Sequence, residues 1–153
     1  MAADPAPQPE ICTCLAVRQA ARHITQIYDQ HLIPVGLRTT QFSILAKLKQ
    51  AGSMTINALA AELVMDRTTL GRNILPLQRE EVIEIAPGRE DRRSKELRLT
   101  EAGLQRLRSA VRCWTNAQKS FDEAFGATRA AKFRAILRTA ASTEVASAGG
   151  AAS

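Results

Sequence analysis

The segment DRTTLGRNILPLQREEVIEIAPGREDRRSKELRLT, Asp66–Thr100, decides how this chain folds. Its first half carries Leu70, Ile74 and Leu77 three or four residues apart, the spacing of one helix face, behind an Asp66 positioned to cap that helix. Its second half changes period. Val82, Ile83 and Ile85 are interleaved with acids, Pro87-Gly88 opens a turn, and Leu97 and Leu99 alternate with charge, so the pattern predicts a helix followed by a two-stranded β-hairpin.

Upstream, Ile56, Leu59, Ala60 and Leu63 give a short helix from about Thr55, and "VMD" makes the tight turn into the next one. Two short helices back to back are the shape of a helix-turn-helix, whose second helix presents its first turns to the major groove. Before them, Phe42, Leu45, Ala46 and Leu48 mark a helix capped by Thr39 or Thr40 and ended by "AGS"; before that, apolar positions from Leu15 to Leu32 describe a long amphipathic helix over Ile11–Leu32, stopping ahead of Pro34-Val-Gly36. Beyond the hairpin, Glu101–Trp114 and Phe121–Leu137 read as two further helices. The fold class is therefore mostly α with a small β-wing, a winged helix-turn-helix. Residues 11–38 form the first helix and its connection, 39–100 the winged domain and 101–145 the C-terminal helices; 1–10 and 146–153, small and Pro- or Gly-rich, are expected as disordered tails.

The outward residues indicate what the winged domain touches. Arg67, Thr68, Thr69, Arg72 and Asn73 form a polar, net basic surface at the start of the recognition helix, where Arg can pair bidentately with guanine and Asn with adenine. At the hairpin tip, Arg89, Arg92, Arg93 and Lys95 suit the flanking phosphates, and an arginine can enter the minor groove. Asp91 beside them is expected to brace an arginine fork, so that less side-chain entropy is lost on docking.

Composition agrees. The chain has 153 residues with 45% hydrophobic content, enough for one self-sufficient core, and 21 basic against 15 acidic residues give it +6, which favours a polyanionic partner. The start lacks the pattern of a signal peptide and no apolar run approaches a membrane span, so a cytoplasmic protein with no membrane partner is expected. Both histidines, His23 and His31, fall in the first helix with no nucleophile–base–acid spacing, and no Gly-rich loop is present to cradle phosphate, which argues against an enzyme. A non-specific architectural DNA-binding protein is the alternative of a different class; it would bind with steep salt dependence and no sequence discrimination. No cofactor is called for. Cys12 and Cys14, two apart and so on nearly opposite faces if helical, are ill placed to ligate a metal together with His23.

The order TINALAAELVMDRTTLGRNILPLQREEVIE then GREDRRSKELRLTEAG resembles the MarR family of winged helix-turn-helix transcriptional regulators, with Asp91, Arg93, Leu99, Thr100 and Gly103 at the places of its wing signature. The resemblance implies a homodimer, joined through the N- and C-terminal helices, that binds a pseudo-palindromic operator in double-stranded DNA, usually represses, and is released by a small ligand or an oxidant. It also implies two places for that signal. Small aromatic or phenolic effectors of such proteins bind between the dimerisation helices and the winged domain, which corresponds here to Arg18, Arg22, Tyr28, His31 and Phe42. In hydroperoxide-sensing members a reactive cysteine lies fourteen positions before a tyrosine that contacts its sulfur, as Cys14 does before Tyr28, and Cys113 would stand as a resolving thiol; a second tyrosine of that pattern is replaced by Thr39. Both modes of release remain open, beside the reading of these cysteines as inert packing residues.

Overall fold

The computed structural model describes residues 6 and 8–145; of the expected tails, 1–5, 7 and 146–153 lie outside the described residues. The chain falls into two compact units, Met1–Gln118 and Lys119–Ser153.

Helix α1 spans Thr13–Leu32. It starts two residues later than the periodicity predicts, because Pro9–Ile11 forms a separate 3-10 turn and Cys12, in extended backbone, caps α1 through its sulfur, which accepts from the Leu15 amide. Pro9 and Glu10 belong to that turn. A second 3-10 turn, Ile33–Val35, closes on Gly36 at φ 68, a left-handed conformation that glycine adopts without steric cost. Helix α2 spans Thr39–Ala51. Thr39 is its first residue and not its cap: Arg38 is the N-cap, its amide donating to Gln41 Oε1 at 3.0 Å. The Thr39 amide and hydroxyl turn back instead to Asp29 Oδ1 on α1, each at 2.7 Å.

Helices α3, Ile56–Glu62, and α4, Arg67–Arg79, are both capped, α4 by Asp66 as the sequence predicts and α3 by Thr55, where the sequence placed only the start of the helix. Thr55 Oγ1 accepts from the Ala58 amide at 3.1 Å and Asp66 Oδ1 from the Thr69 amide at 2.9 Å, satisfying donors that the first helical turn leaves without partners. The hairpin strands are β2, Ile83–Pro87, and β3, Lys95–Leu99, but the sheet has three strands in the order β1-β3-β2. The unforeseen strand β1 is only Met54–Thr55, too short to show alternation, and pairs Met54 with Leu97 and Thr55 with Glu96.

Leu32, Ile44, Leu45, Leu48, Leu59, Leu70 and Leu97 are fully buried in one core cluster, where truncation of any of them to Ala costs about 2–5 kcal/mol. Ile85 is paired across the ladder with the fully buried Leu97, yet is itself 40% exposed. Helix α5 runs unbroken over Glu101–Phe125 and α6 over Ala127–Ser142. The expected break after Trp114 is absent because residues 115–120 contain neither Pro nor Gly; the helix ends before Gly126, at φ 94. Within the second unit, the Phe125 ring stacks on Phe121 at 5.2 Å, meets Phe133 at 5.6 Å and carries the Arg129 guanidinium over its face.

Candidate nucleic-acid interface

The first turns of α4 present Arg67, Thr68 and Arg72 exposed. Thr69 and Asn73 are already committed within the helix. Thr69 Oγ1 donates to Asp66 Oδ2 at 2.6 Å, and Asn73 Nδ2 donates to the Thr69 carbonyl at 2.9 Å, leaving Asn73 half-buried with its amide orientation fixed. The Thr69 hydroxyl bond, then the Thr69 backbone bond, holds the Asp66 carboxyl below its ordinary pKa, so the cap remains ionised at the positive end of the helix dipole. Gly71, which sequence reasoning passed over, is exposed between Arg67 and Arg72, and a Cβ built there meets nothing within 4 Å. Packing within the chain does not require glycine at this place, although glycine in a helix interior costs about 1 kcal/mol against alanine.

The wing tip is stapled by backbone bonds: the Gly88 amide donates to the Ser94 carbonyl at 2.9 Å, and the Ser94 amide and hydroxyl donate to the Asp91 carbonyl at 3.0 and 2.7 Å. Gly88 is required here, since a Cβ would come within 2.1 Å of Ser94 Oγ and 2.5 Å of the Asp91 carbonyl. The Asp91 carboxylate accepts from the Arg93 backbone amide at 2.9 Å. Its observed hold is therefore on the main chain of Arg93, where the sequence suggested the guanidinium, because an aspartate two residues before an amide closes a local turn most readily. Arg89, Arg92, Arg93 and Lys95 are all exposed around this turn.

At the wing base, the Thr100 hydroxyl donates to the Glu81 carbonyl at 2.6 Å, lies 3.2 Å from the Val82 carbonyl, and accepts from the Gly103 amide at 3.0 Å. Gly103 lets the start of α5 approach so closely that a Cβ would lie 2.0 Å from the Val82 carbonyl. Ion pairs Arg98–Glu84, at 2.7 Å, and Arg106–Glu80 tie β3 to β2 and α5 to the end of α4. The recognition helix and the wing thus share one rigid base.

The residues implicated in signal reception are more scattered. Cys14, Arg18 and Arg22 are exposed along α1, and Cys113 is half-buried against the core. Tyr28 donates its hydroxyl to Gln118 Oε1 at 2.7 Å, and His31 Nδ1 donates to the Ile27 carbonyl at 2.8 Å. Phe42 is buried and stacks on Trp114, with ring centroids 5.8 Å apart. Because α1 is continuous, Cys14 and Tyr28 within the chain stand about 21 Å apart along its axis and do not touch. Among the described residues no group of three or more His, Cys, Asp or Glu could hold a metal ion, and no helix is long and apolar enough to cross a membrane.

Residues 37–95 match the family model described as "MarR family". M. tuberculosis transcriptional regulator MosR, solved in complex with DNA, is 37% identical over 85% of this chain and 96% of that chain, with a TM-score of 0.72. The chain belongs to the MarR family. It is accordingly a MarR-type DNA-binding transcriptional regulator with the winged helix-turn-helix fold, in a family of regulators and not of enzymes. Two more distant structures share the fold: a mutant MarR from E. coli complexed with operator DNA, at 18% identity over 82% of this chain and 90% of that one with a TM-score of 0.73, and Bordetella bronchiseptica BpsR, at 17% over 92% and 100% with a TM-score of 0.80. The BpsR structure concerns regulation of its DNA binding by 6-hydroxynicotinic acid. No curated protein matches the chain by sequence.

Proposed function

We propose that this MarR-family chain binds a pseudo-palindromic operator as a homodimer, represses there, and is released by a small ligand or an oxidant. The observation that carries the DNA-binding part is the pairing of an exposed, capped basic helix start with a wing tip stapled so that four cations point outward from one rigid base. MosR, 37% identical, was solved with DNA bound, which supports the same chemistry here. In this reading Arg67, Thr68 and Arg72 meet base edges and phosphates, Asn73 and Thr69 contribute the polar atoms their internal bonds leave over, and Gly71 lets the helix backbone approach the groove closely. Arg89, Arg92, Arg93 and Lys95 neutralise flanking phosphates, with Arg93 entering the minor groove on a main chain fixed by Asp91.

The test compares two variants on randomised and operator DNA. Arg72→Ala is expected to relax preference at particular base pairs, whereas Lys95→Ala lowers affinity about equally for all sequences and reduces the salt slope by about 1. Equal losses on every sequence for both variants would identify a non-specific architectural protein instead.

For release, the exposure of Cys14 favours a thiol signal over its reading as a packing residue. The effector site near Arg18, Arg22, Tyr28, His31 and Phe42 is the other mode. Phe42 enters it only through a shift of Trp114, which covers one face of its ring.

A further inference from the structure

A groove of about 610 Å³ lies beside β2, lined by Gln78 and Glu81 around the end of α4, by Ile83, Glu84 and Ile85, and by Thr100, Glu101 and Ala102 at the start of α5. Three carboxylates in a chain of net charge +6 are the wrong chemistry for phosphate, so this groove is distinct from the DNA-binding surface. Glu84 is paired with Arg98 and Glu101 with Arg108, while the Glu81 carboxylate has no cationic partner among the described residues.

The backbone adds a second feature. In the β2–β3 register Val82 faces Thr100 and Gly88 faces Ser94, and both pairs are hydrogen-bonded through the backbone. Antiparallel pairs alternate between bonded and unbonded, so Val82, Glu84, Ala86 and Gly88 bond to β3 while Ile83, Ile85 and Pro87 turn their backbone groups away from it. With the strand order β1-β3-β2, that outward edge has no strand on it among the described residues. Ile83 lies at the bottom of the groove, and Ile85, 40% exposed, stands open beside it. Pro87 lacks an amide hydrogen, which ends the available edge before the wing tip.

We propose that this edge and groove take an extended, basic segment of a partner protein, which adds antiparallel or parallel to β2 as a fourth strand. Main-chain bonds to Ile83 and Ile85 supply the pairing, and Glu81, whose carboxylate has no cationic partner among the described residues, selects Lys or Arg on the incoming strand, with Glu84 and Glu101, each paired to an arginine of this chain, forming the rest of the acidic rim. The same carboxylates disfavour a second copy of β2 in that place, because self-pairing sets acid against acid. A regulator so built can hold operator DNA with one surface and a basic protein segment with another.

The experiment uses the full chain and a labelled synthetic hexapeptide of alternating Lys and Val. Controls are the same peptide with alternate backbone nitrogens methylated, and one with Glu in place of Lys. The Lys-Val peptide is expected to bind about tenfold or more tightly than either control, and to slow hydrogen exchange at the Ile85 amide. Ile85→Pro removes that outward donor without touching a β2–β3 bond and is expected to abolish binding; the pair Glu81→Lys with Glu101→Lys serves the same end should the proline variant fail to fold. Equal binding of the methylated peptide, equal binding of the Glu peptide, or an unprotected Ile85 amide in the bound state each overturns the proposal. So does protection of Ile85 that rises with protein concentration in the absence of peptide, which would assign the edge to a second copy of the chain.

Discussion

Thr100 is the residue on which the wing's position depends most. Its one hydroxyl meets the Glu81 and Val82 carbonyls and the Gly103 amide, so the end of β3, the entry to β2 and the first turn of α5 meet at a single oxygen. Thr100→Val keeps the shape and removes the oxygen, leaving those backbone groups short of a partner. The expected loss is about 1–2 kcal/mol in urea unfolding, with operator affinity falling further than the stability change alone requires because the wing loses its anchor. An unchanged midpoint would show that water replaces the hydroxyl without cost. Val64 offers the opposite case. It occupies the turn between α3 and α4 at φ 50, a left-handed conformation unfavourable for a β-branched side chain, and is 77% exposed, so its side chain buries little in return. Val64→Asn, which tolerates that backbone, is expected to stabilise the protein by about 1 kcal/mol and raise Tm by about 2–4 °C in a thermal scan.

Between elements, the join of α1 to α2 is electrostatic. Asp29 accepts from the Thr39 amide and hydroxyl and pairs with Arg38 at 3.3 Å. Partial burial works to raise its carboxyl pKa, but the Thr39 backbone bond, the Thr39 hydroxyl and Arg38 together outweigh it and hold the group below the ordinary value. A depressed folded-state pKa means stability that is present above the unfolded value, about 3.9, and is lost as pH falls through the lower folded value. Asp29→Asn is therefore expected to be less stable than wild type at pH 7, with the gap between their urea midpoints narrowing as pH drops below about 4. A gap that stays constant down to pH 2 would remove the charge from the explanation. This join also marks what the sequence could disclose. The cap Asp66 and the start of α3 near Thr55 were legible because side chain and amide lie within three residues, and the buried stripes of α3 and α4 because their period is local. The Asp29–Thr39 clamp, the Thr100 clamp and strand β1 were not, since each depends on partners brought together only by folding: ten residues apart for the first, nineteen for the second, and for β1 a strand of two residues that only β3 defines. The basic residues of the interface were legible as types, but the internal bonds that occupy Thr69 and Asn73, and the turn by which Asp91 holds its neighbour's amide, required coordinates.

At the scale of the whole molecule, α1, α5 and α6 leave Val17, Val111 and Ile136 exposed, the last at 65%, apolar surface of the kind a homodimer covers. The continuity of α1 bears directly on the thiol reading. Cys14 and Tyr28 are about 21 Å apart within the chain, so a sulfur–phenol contact of the kind the family resemblance implies has to be made between two copies of it. Oxidation would then act at the dimer interface and alter the spacing of both DNA-reading helices together, which is what release from a two-fold operator demands. In the proposed thiol mode an organic hydroperoxide would convert the Cys14 thiol to sulfenic acid and itself be reduced to the alcohol, and attack by the Cys113 thiol of the second copy would form a disulfide and expel water. Organic hydroperoxide is accordingly expected to release wild-type protein from operator DNA while Cys14→Ser remains bound. Cys113→Ser is expected to respond still but to lose the covalent dimer on a non-reducing gel. Should the wild type stay on DNA after oxidation, or Cys14→Ser be released as readily, the signal is a non-covalent ligand, and the site around Arg18, Arg22, Tyr28, His31 and Phe42 is where its binding is to be sought.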